Sequence, residues 1–215
     1  MMIAMLILFV LAAVVGWYAG VARSWMRRWG ATGVDLARVM PGDADVADPN
    51  YDTTLAVTVE AGPAEIWPWL MQMGYQRGGL YSYDWLDRLF GFLDRPSATR
   101  VLPQYQRLAV GDEIPMGAGA GFPVRAIDPY SALVLGGDAP GFRWIWQFGL
   151  YPVGAGRTRL ISRNRATVAR TAGWRLFMIV LEPAAFLMTR RMLLGIKQRA
   201  EALAAESRHA SGRAA

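Results

Sequence analysis

Between residues 108 and 167 the chain is cut into short alternating apolar runs by turn-forming residues, and this punctuation constrains the fold more than anything else in the sequence. The runs cover 108–115, 122–127, 132–135, 143–151 and 157–167. Between them stand Gly117-Ala118-Gly119, Asp128-Pro129-Tyr130, Gly136-Gly137-Asp138 and Gly154-Ala155-Gly156. Connections this short cannot carry a crossover, so the pattern predicts antiparallel hairpins in a meander. In 143–151, Trp144, Trp146, Phe148 and Leu150 share one side and present an aromatic stripe to a core or a cavity. In 157–167, Arg157, Arg159, Ile161, Arg163 and Arg165 share a side. That side reads as a solvated sheet face or as a contact with anionic lipid.

Upstream, residues 54–60 alternate with Leu55, Val57 and Val59 on one face and predict a half-buried strand. Gly62-Pro63 then opens a helix whose apolar face carries Ile66, Trp67, Trp69, Leu70 and Met73, and Gly74 ends it. After Arg77-Gly78-Gly79 comes Leu80-Tyr81-Ser82-Tyr83-Asp84-Trp85, with Ser82 placed to cap a second short helix carrying Leu86, Leu89 and Phe90. Aromatics gathered around a glycine hinge read either as the wall of an apolar cavity or as an ordinary core edge.

Several chemistries are excluded by what the chain lacks. It contains no cysteine, and its one histidine, His209, lies in a polar tail. Disulfides, thiolate catalysis, a serine-histidine triad and a His- or Cys-ligated metal are therefore not expected, and no metal site or cofactor is predicted. Acid-base chemistry would fall to carboxylates or tyrosines. The net charge of +6 comes from arginines scattered along the chain, so nucleic acid is not expected as a partner.

The chain is 53% hydrophobic and only 19% charged, which points to a segment in lipid. Residues 2–22 are 21 uncharged, mostly apolar residues, roughly 31 Å as a helix, followed at once by Arg23, Arg27 and Arg28. They predict a transmembrane anchor over 1–23, with the domain on the cytoplasmic side; the rival is a signal peptide cleaved after Ala22. Residues 24–53 read as a juxtamembrane linker with a short helix begun by Thr32 and Asp35, and with Asp43, Asp45, Asp48 and Asp52 as solvated loop. Glu182-Pro183 reads as the start of a helix with Phe186, Leu187, Met192, Leu193, Ile196 and Leu203 inward and Arg190, Arg191, Lys197 and Arg199 mostly wet. Residues 206–215 read as a disordered tail.

Strand, two short helices, antiparallel meander and long C-terminal helix make an α+β order. The blocks at 57–74, 77–91, 110–116 and 181–201 carry a resemblance to the START-like, or SRPBCC, superfamily of the polyketide cyclase/dehydrase and lipid-transport type. The resemblance covers residues 29–205 and implies a helix-grip domain over 54–205, with a hydrophobic cavity between a curved sheet and the last helix. It does not imply one activity.

Three functions stay open. The first is a membrane-anchored binder or carrier of a lipid or other hydrophobic small molecule. Its candidate ligand-binding residues are Trp69, Met73, Arg77, Tyr81, Tyr83, Trp85, Arg100, Trp144, Trp146, Met188 and Met192. The second is a cyclase or dehydratase acting on an apolar ketone-like substrate, with Asp84 as a desolvated acid among Tyr81 and Tyr83, and Arg77 or Arg100 polarising a carbonyl. Against it, Asp84 in a first helical turn and paired with Arg88 would be purely structural. The third is a membrane-tethered interaction module whose interior is filled by its own side chains.

Overall fold

A computed structural model describes residues 5, 6, 9, 16–119, 121–140, 142–168 and 171–214. A π-helical turn at Tyr18–Ala22 leads into α1 (Arg23–Arg27), followed by α2 (Gly33–Ala37), β1 (Tyr51–Val59), α3 (Pro63–Met71) and α4 (Asp84–Leu89). Then come β2 (Glu113–Pro115), β3 (Gly121–Asp128), β4 (Ala132–Ala139), β5 (Phe142–Pro152), β6 (Thr158–Val168) and α5 (Ala172–Ala214). The strands form one six-stranded sheet in the order β1-β6-β5-β4-β3-β2, antiparallel at every pair. With α5 lying across this sheet, the architecture is that of the helix-grip fold.

The meander forms as its turn residues predict, with two adjustments. Gly136-Gly137-Asp138 is not a turn but the second half of β4, paired with Ile145, Trp144 and Arg143. Glycines are tolerated there because Gly136 lies so close to the neighbouring strand that a Cβ would come 2.8 Å from the Trp144 carbonyl oxygen. The run at 108–115 pairs only over its last three residues. The first strand begins three residues earlier than the alternation indicates, at Tyr51.

Period-two alternation divides the sheet into two faces with different coverings. On the inner face Val57, Val59, Phe148, Leu150 and Leu160 join the main core with Ile66, Trp69 and Leu70 of α3. Met192, Ile196, Ala200 and Ala204 of α5, four residues apart, lie on the helix face turned to that core and are at most 4% exposed. Gly195 permits the closest approach, since a Cβ there would stand 2.2 Å from the Tyr81 carbonyl oxygen. Tyr81 itself is held at φ +58°, with its hydroxyl donating to the Trp69 carbonyl at 3.1 Å.

The outer face is covered from Arg159 to Arg165, while Arg157 is exposed. Arg163 is 4% exposed and donates to Thr54 Oγ1 at 3.1 Å, to the Arg38 and Asp35 carbonyls at 2.8 Å each, and to Asp43 Oδ2 at 2.8 Å. Arg159 pairs with Asp35 at 2.7 Å, and Arg165 with Asp43 at 3.3 Å. The segment after α1 is therefore strapped across the sheet, and Asp43 belongs to that strap rather than to a solvated loop. Thr32 and Asp35 do form the expected capping box at α2.

The C-terminal helix also differs from expectation. It runs unbroken from Ala172 to Ala214, with Pro183 inside it and residues 206–214 helical rather than disordered. The four basic side chains expected to be mostly wet are engaged. Lys197 donates to the Thr58 carbonyl at 2.7 Å, and Arg199 to the Ala98 carbonyl at 2.7 Å, while Arg190 and Arg191 lie over the rings of Trp29 and Tyr83. Among the described residues no helix is long and apolar enough to cross a membrane. Most of the predicted span at 2–22 lies outside the described residues.

Removing the buried guanidinium tests the strap. Arg163→Ala leaves the Arg38 and Asp35 carbonyls without this donor and Asp43 with Arg165 as its remaining ion-pair partner, and is expected to cost about 3–5 kcal/mol in urea unfolding. Limited proteolysis should then cut within residues 33–50 of the variant and spare the parent.

Candidate functional site

A cavity of about 400 Å³ lies between the inner face of the sheet and α5. Its floor comes from alternate residues of neighbouring strands: Tyr51, Thr53 and Leu55 of β1, Asn164 and Ala166 of β6, Trp144 and Trp146 of β5, and Phe122 of β3. Its roof is α5, through Met178, Ala185, Phe186, Met188 and Met192. Leu80, Ser82, Phe90, Phe92 and Met116 close it from the loops.

The tryptophans are fixed by their nitrogens and leave ring surface to the cavity. Trp144 Nε1 donates to Asn164 Oδ1 at 3.1 Å, and Trp146 Nε1 to Ser162 Oγ at 2.8 Å, both across the β5–β6 register. The rings also touch each other and Phe122, with centroids 4.6 Å apart for Phe122 and Trp144 and 6.4 Å for the tryptophan pair. The aromatic stripe thus packs and still borders a void. Trp174 Nε1, also on the lining, is buried and has no acceptor among the described residues.

Carboxylates stand at or just behind the lining in two places. At the first, α1 and α5 meet. Glu182 is 5% exposed and accepts from Arg23 Nε at 2.5 Å and Arg23 Nη2 at 2.8 Å, and also from Arg27 Nη2. Burial pushes this carboxyl up, but the hydrogen bonds from both arginines outweigh it and hold it below the usual range. Glu182 is therefore an ion-paired residue in mid-helix rather than the carboxylate of a helix start. Tyr51, with Arg27 over its ring, is pushed up to about 12 by burial and then by the charge of Glu182. A second, polar pocket of about 410 Å³ adjoins the same place, lined by Arg23, Ser24, Arg27, Arg28, Asp52 and Thr54 together with Leu36. Arg23 and Arg27 border both spaces.

At the second place Ser82, on the lining, donates its hydroxyl to the Asp87 carboxylate, 2.8 Å from each oxygen. Asp87 is 0% exposed, and burial pushes its pKa up to about 6 against the Ser82 hydrogen bond, with the charge of Asp84 adding to the rise. Ser82 does not cap α4; the N-cap is Tyr83, without a side-chain hydrogen bond.

Of the residues predicted to bind a ligand, Trp144, Trp146, Met188 and Met192 line the cavity. The others do not. Trp69 and Met73 are core, and Tyr81 is buried with its hydroxyl tied to backbone. Trp85 is 66% exposed, and Arg100 is exposed as well. Tyr83 lies against Arg191. Arg77 donates to the Met73, Met71 and Tyr105 carbonyls at 3.0, 2.8 and 3.2 Å, which makes it a backbone brace. Among the described residues Asp84 makes no ion pair with Arg88, and it does not line the cavity. It accepts from the Ser97 amide at 3.1 Å and the Ser97 hydroxyl at 2.8 Å, pinning the loop that follows α4.

Asp87 and Glu182 were the carboxylates to find, and neither has a local signature. Asp87 lies in the first turn of α4, where acids are common. Glu182 precedes a proline as helix-start acids do.

Because Asp87 keeps its proton to higher pH in the folded chain than in the unfolded one, its contribution is full below about pH 4. It is lost as pH rises through about 6, a fall of roughly 2–3 kcal/mol. Urea unfolding across that window should show the fall, and Asp87→Asn should flatten it. Glu182, held low, acts in the opposite direction, with its contribution lost only as pH drops below the ordinary carboxylate range.

No protein-family model matches the chain, and no curated protein matches it. Solved structures overlap it in part. A protein from Mesorhizobium loti aligns at 16% identity and a TM-score of 0.41, covering 69% of this chain and 96% of that one. One from Chromobacterium violaceum aligns at 14% identity and 0.41, covering 70% and 96%. A point mutant of Thalictrum flavum norcoclaurine synthase, in complex with a transition-state analogue, aligns at 15% identity and 0.40, covering 74% and 96%. The helix-grip arrangement therefore stands on the strand order, register and helix packing of this chain itself.

Proposed function

We propose that the protein binds or carries a hydrophobic small molecule in the cavity between sheet and α5. The observation that carries this reading is the cavity itself. At about 400 Å³ it has the size of small-molecule sites, and its lining is aromatic, methionine-rich and aliphatic with polar groups confined to a few places. Burying apolar ligand surface there is favourable by about 25 cal/mol per Å², and the unbranched side chains of Met178, Met188 and Met192 can adjust to differently shaped guests.

The reading includes a membrane location. It rests on the uncharged run at 2–22 and on the arginines that follow, which put the domain on the cytoplasmic side by charge bias. A lipid is then the nearest guest.

One observation favours a second reading, in which the cavity also performs proton transfer. Asp87, near half-protonation at about pH 6, reaches the lining only through the Ser82 hydroxyl, so a relay to a bound carbonyl compound is geometrically open. Asp84, committed to Ser97, has no such part.

Filling the void separates binding from scaffolding. Native mass spectrometry of the full chain, released from detergent, should show an added apolar mass. Ala185→Trp, which places an indole on the roof, should reduce its occupancy by about tenfold or more. A parent chain that carries no added mass and takes up no apolar probe would leave only a tethered scaffold.

A further inference from the structure

The apolar cavity and the polar pocket meet at one pair of side chains. Arg23 and Arg27 border both, and beyond them the polar pocket adds Arg28, Ser24 and Thr54. A guest with its chain in the first space would have its end group at these guanidiniums. Among the described residues that line the two spaces the charges do not cancel: Arg23, Arg27 and Arg28 stand against Glu182 and Asp52, which leaves one positive charge over. Arg27 supplies a further sign. Its Nη2 is committed to Glu182, yet its Nε is buried and has no acceptor among the described residues. A buried donor left open is costly and marks a place for an oxygen atom.

We propose that the guest is a monoanionic amphipath, a single apolar chain ending in a phosphodiester or carboxylate head, with the chain in the cavity and the head held by Arg23, Arg27 and Arg28. This rests on the cavity being a binding site and names the class of molecule it takes. The Glu182 carboxylate is what limits the arrangement to a single negative charge. It holds Arg23 and Arg27 at the junction in the absence of a guest and cancels enough charge that one negative head completes the balance. Arginine rather than lysine suits the task, because its planar donors can serve Glu182 on one side and a head oxygen on another.

The test compares two lipids with the same chain. The full chain, released from detergent, is offered oleoyl-lysophosphatidylglycerol and monooleoylglycerol at equal concentration, and the complexes are counted by native mass spectrometry. The charged lipid should occupy the protein about tenfold more than the neutral one. Arg28→Gln lies away from the Glu182 ion pair and should lower that preference several-fold. Glu182→Gln leaves three guanidiniums against one carboxylate and should raise it. Inorganic phosphate at millimolar concentration should not displace the bound lipid. Equal occupancy by both lipids, with neither substitution changing the ratio, overturns the proposal and leaves the cavity reading intact. Displacement by inorganic phosphate overturns it in favour of a free-anion pocket. Binding of neither lipid overturns the cavity reading, and the proposal with it.

Discussion

Arg163 is a charge taken almost wholly out of water, and the rest of the molecule is arranged so that it can stay there. A buried guanidinium is tolerated only when its donors are answered, and its partners Thr54, Arg38, Asp35 and Asp43 come from β1 and from the segment after α1. Because β6 alternates, whatever places Arg163 outward places Ser162 and Asn164 inward, where they hold the two tryptophan nitrogens. The strap on one face and the aromatic lining on the other are thus set by the same register. A one-residue slip would bury neither correctly. The strap also brings the N-terminal chain to the sheet edge at β1, where Arg23 and Arg27 reach Glu182.

The cavity wall has two characters for related reasons. Where β5, β3 and α5 meet, aromatic rings pack edge to face and leave a space that methionines flank but do not fill. Where α1 meets α5, the low polarity of the surroundings strengthens the attraction between Glu182 and its arginines and keeps the carboxylate ionised. Asp87 shows the opposite outcome of the same burial. Without a cation beside it and with one hydroxyl for support, its pKa is pushed up to about 6 instead. Two buried acids near one cavity therefore titrate on opposite sides of the ordinary carboxylate range because only one of them has arginines.

Much of this could be read in advance from local pattern. Alternation located every strand of the meander, Gly62-Pro63 located α3, and Thr32 with Asp35 located α2, since each signal acts within a few residues. The stripe of Trp144 and Trp146 was legible as lining for the same reason. What stayed hidden depended on long-range pairing. Residues Arg159 to Arg165 look like a wet face until a segment more than a hundred residues away covers them. Glu182 looks like a helix start until Arg23, at the far end of the chain, claims it. Trp69, Tyr81 and Arg77 have the composition of a binding wall, but α5 crossing at Gly195 and the carbonyls around Arg77 turn them into framework.

Lys197 is the only lysine in the chain, and it sits where α5 clasps β1, its ammonium shared between the Thr58 carbonyl and Glu201. Among side chains, acylating reagents that modify primary amines have this one alone to attack, and with 31% of it exposed they can reach it in the folded chain. Neutralising that ammonium would remove its charge from Glu201 and its donors from the Thr58 carbonyl, so the clasp between helix and sheet can be weakened chemically at one point without any change to the sequence.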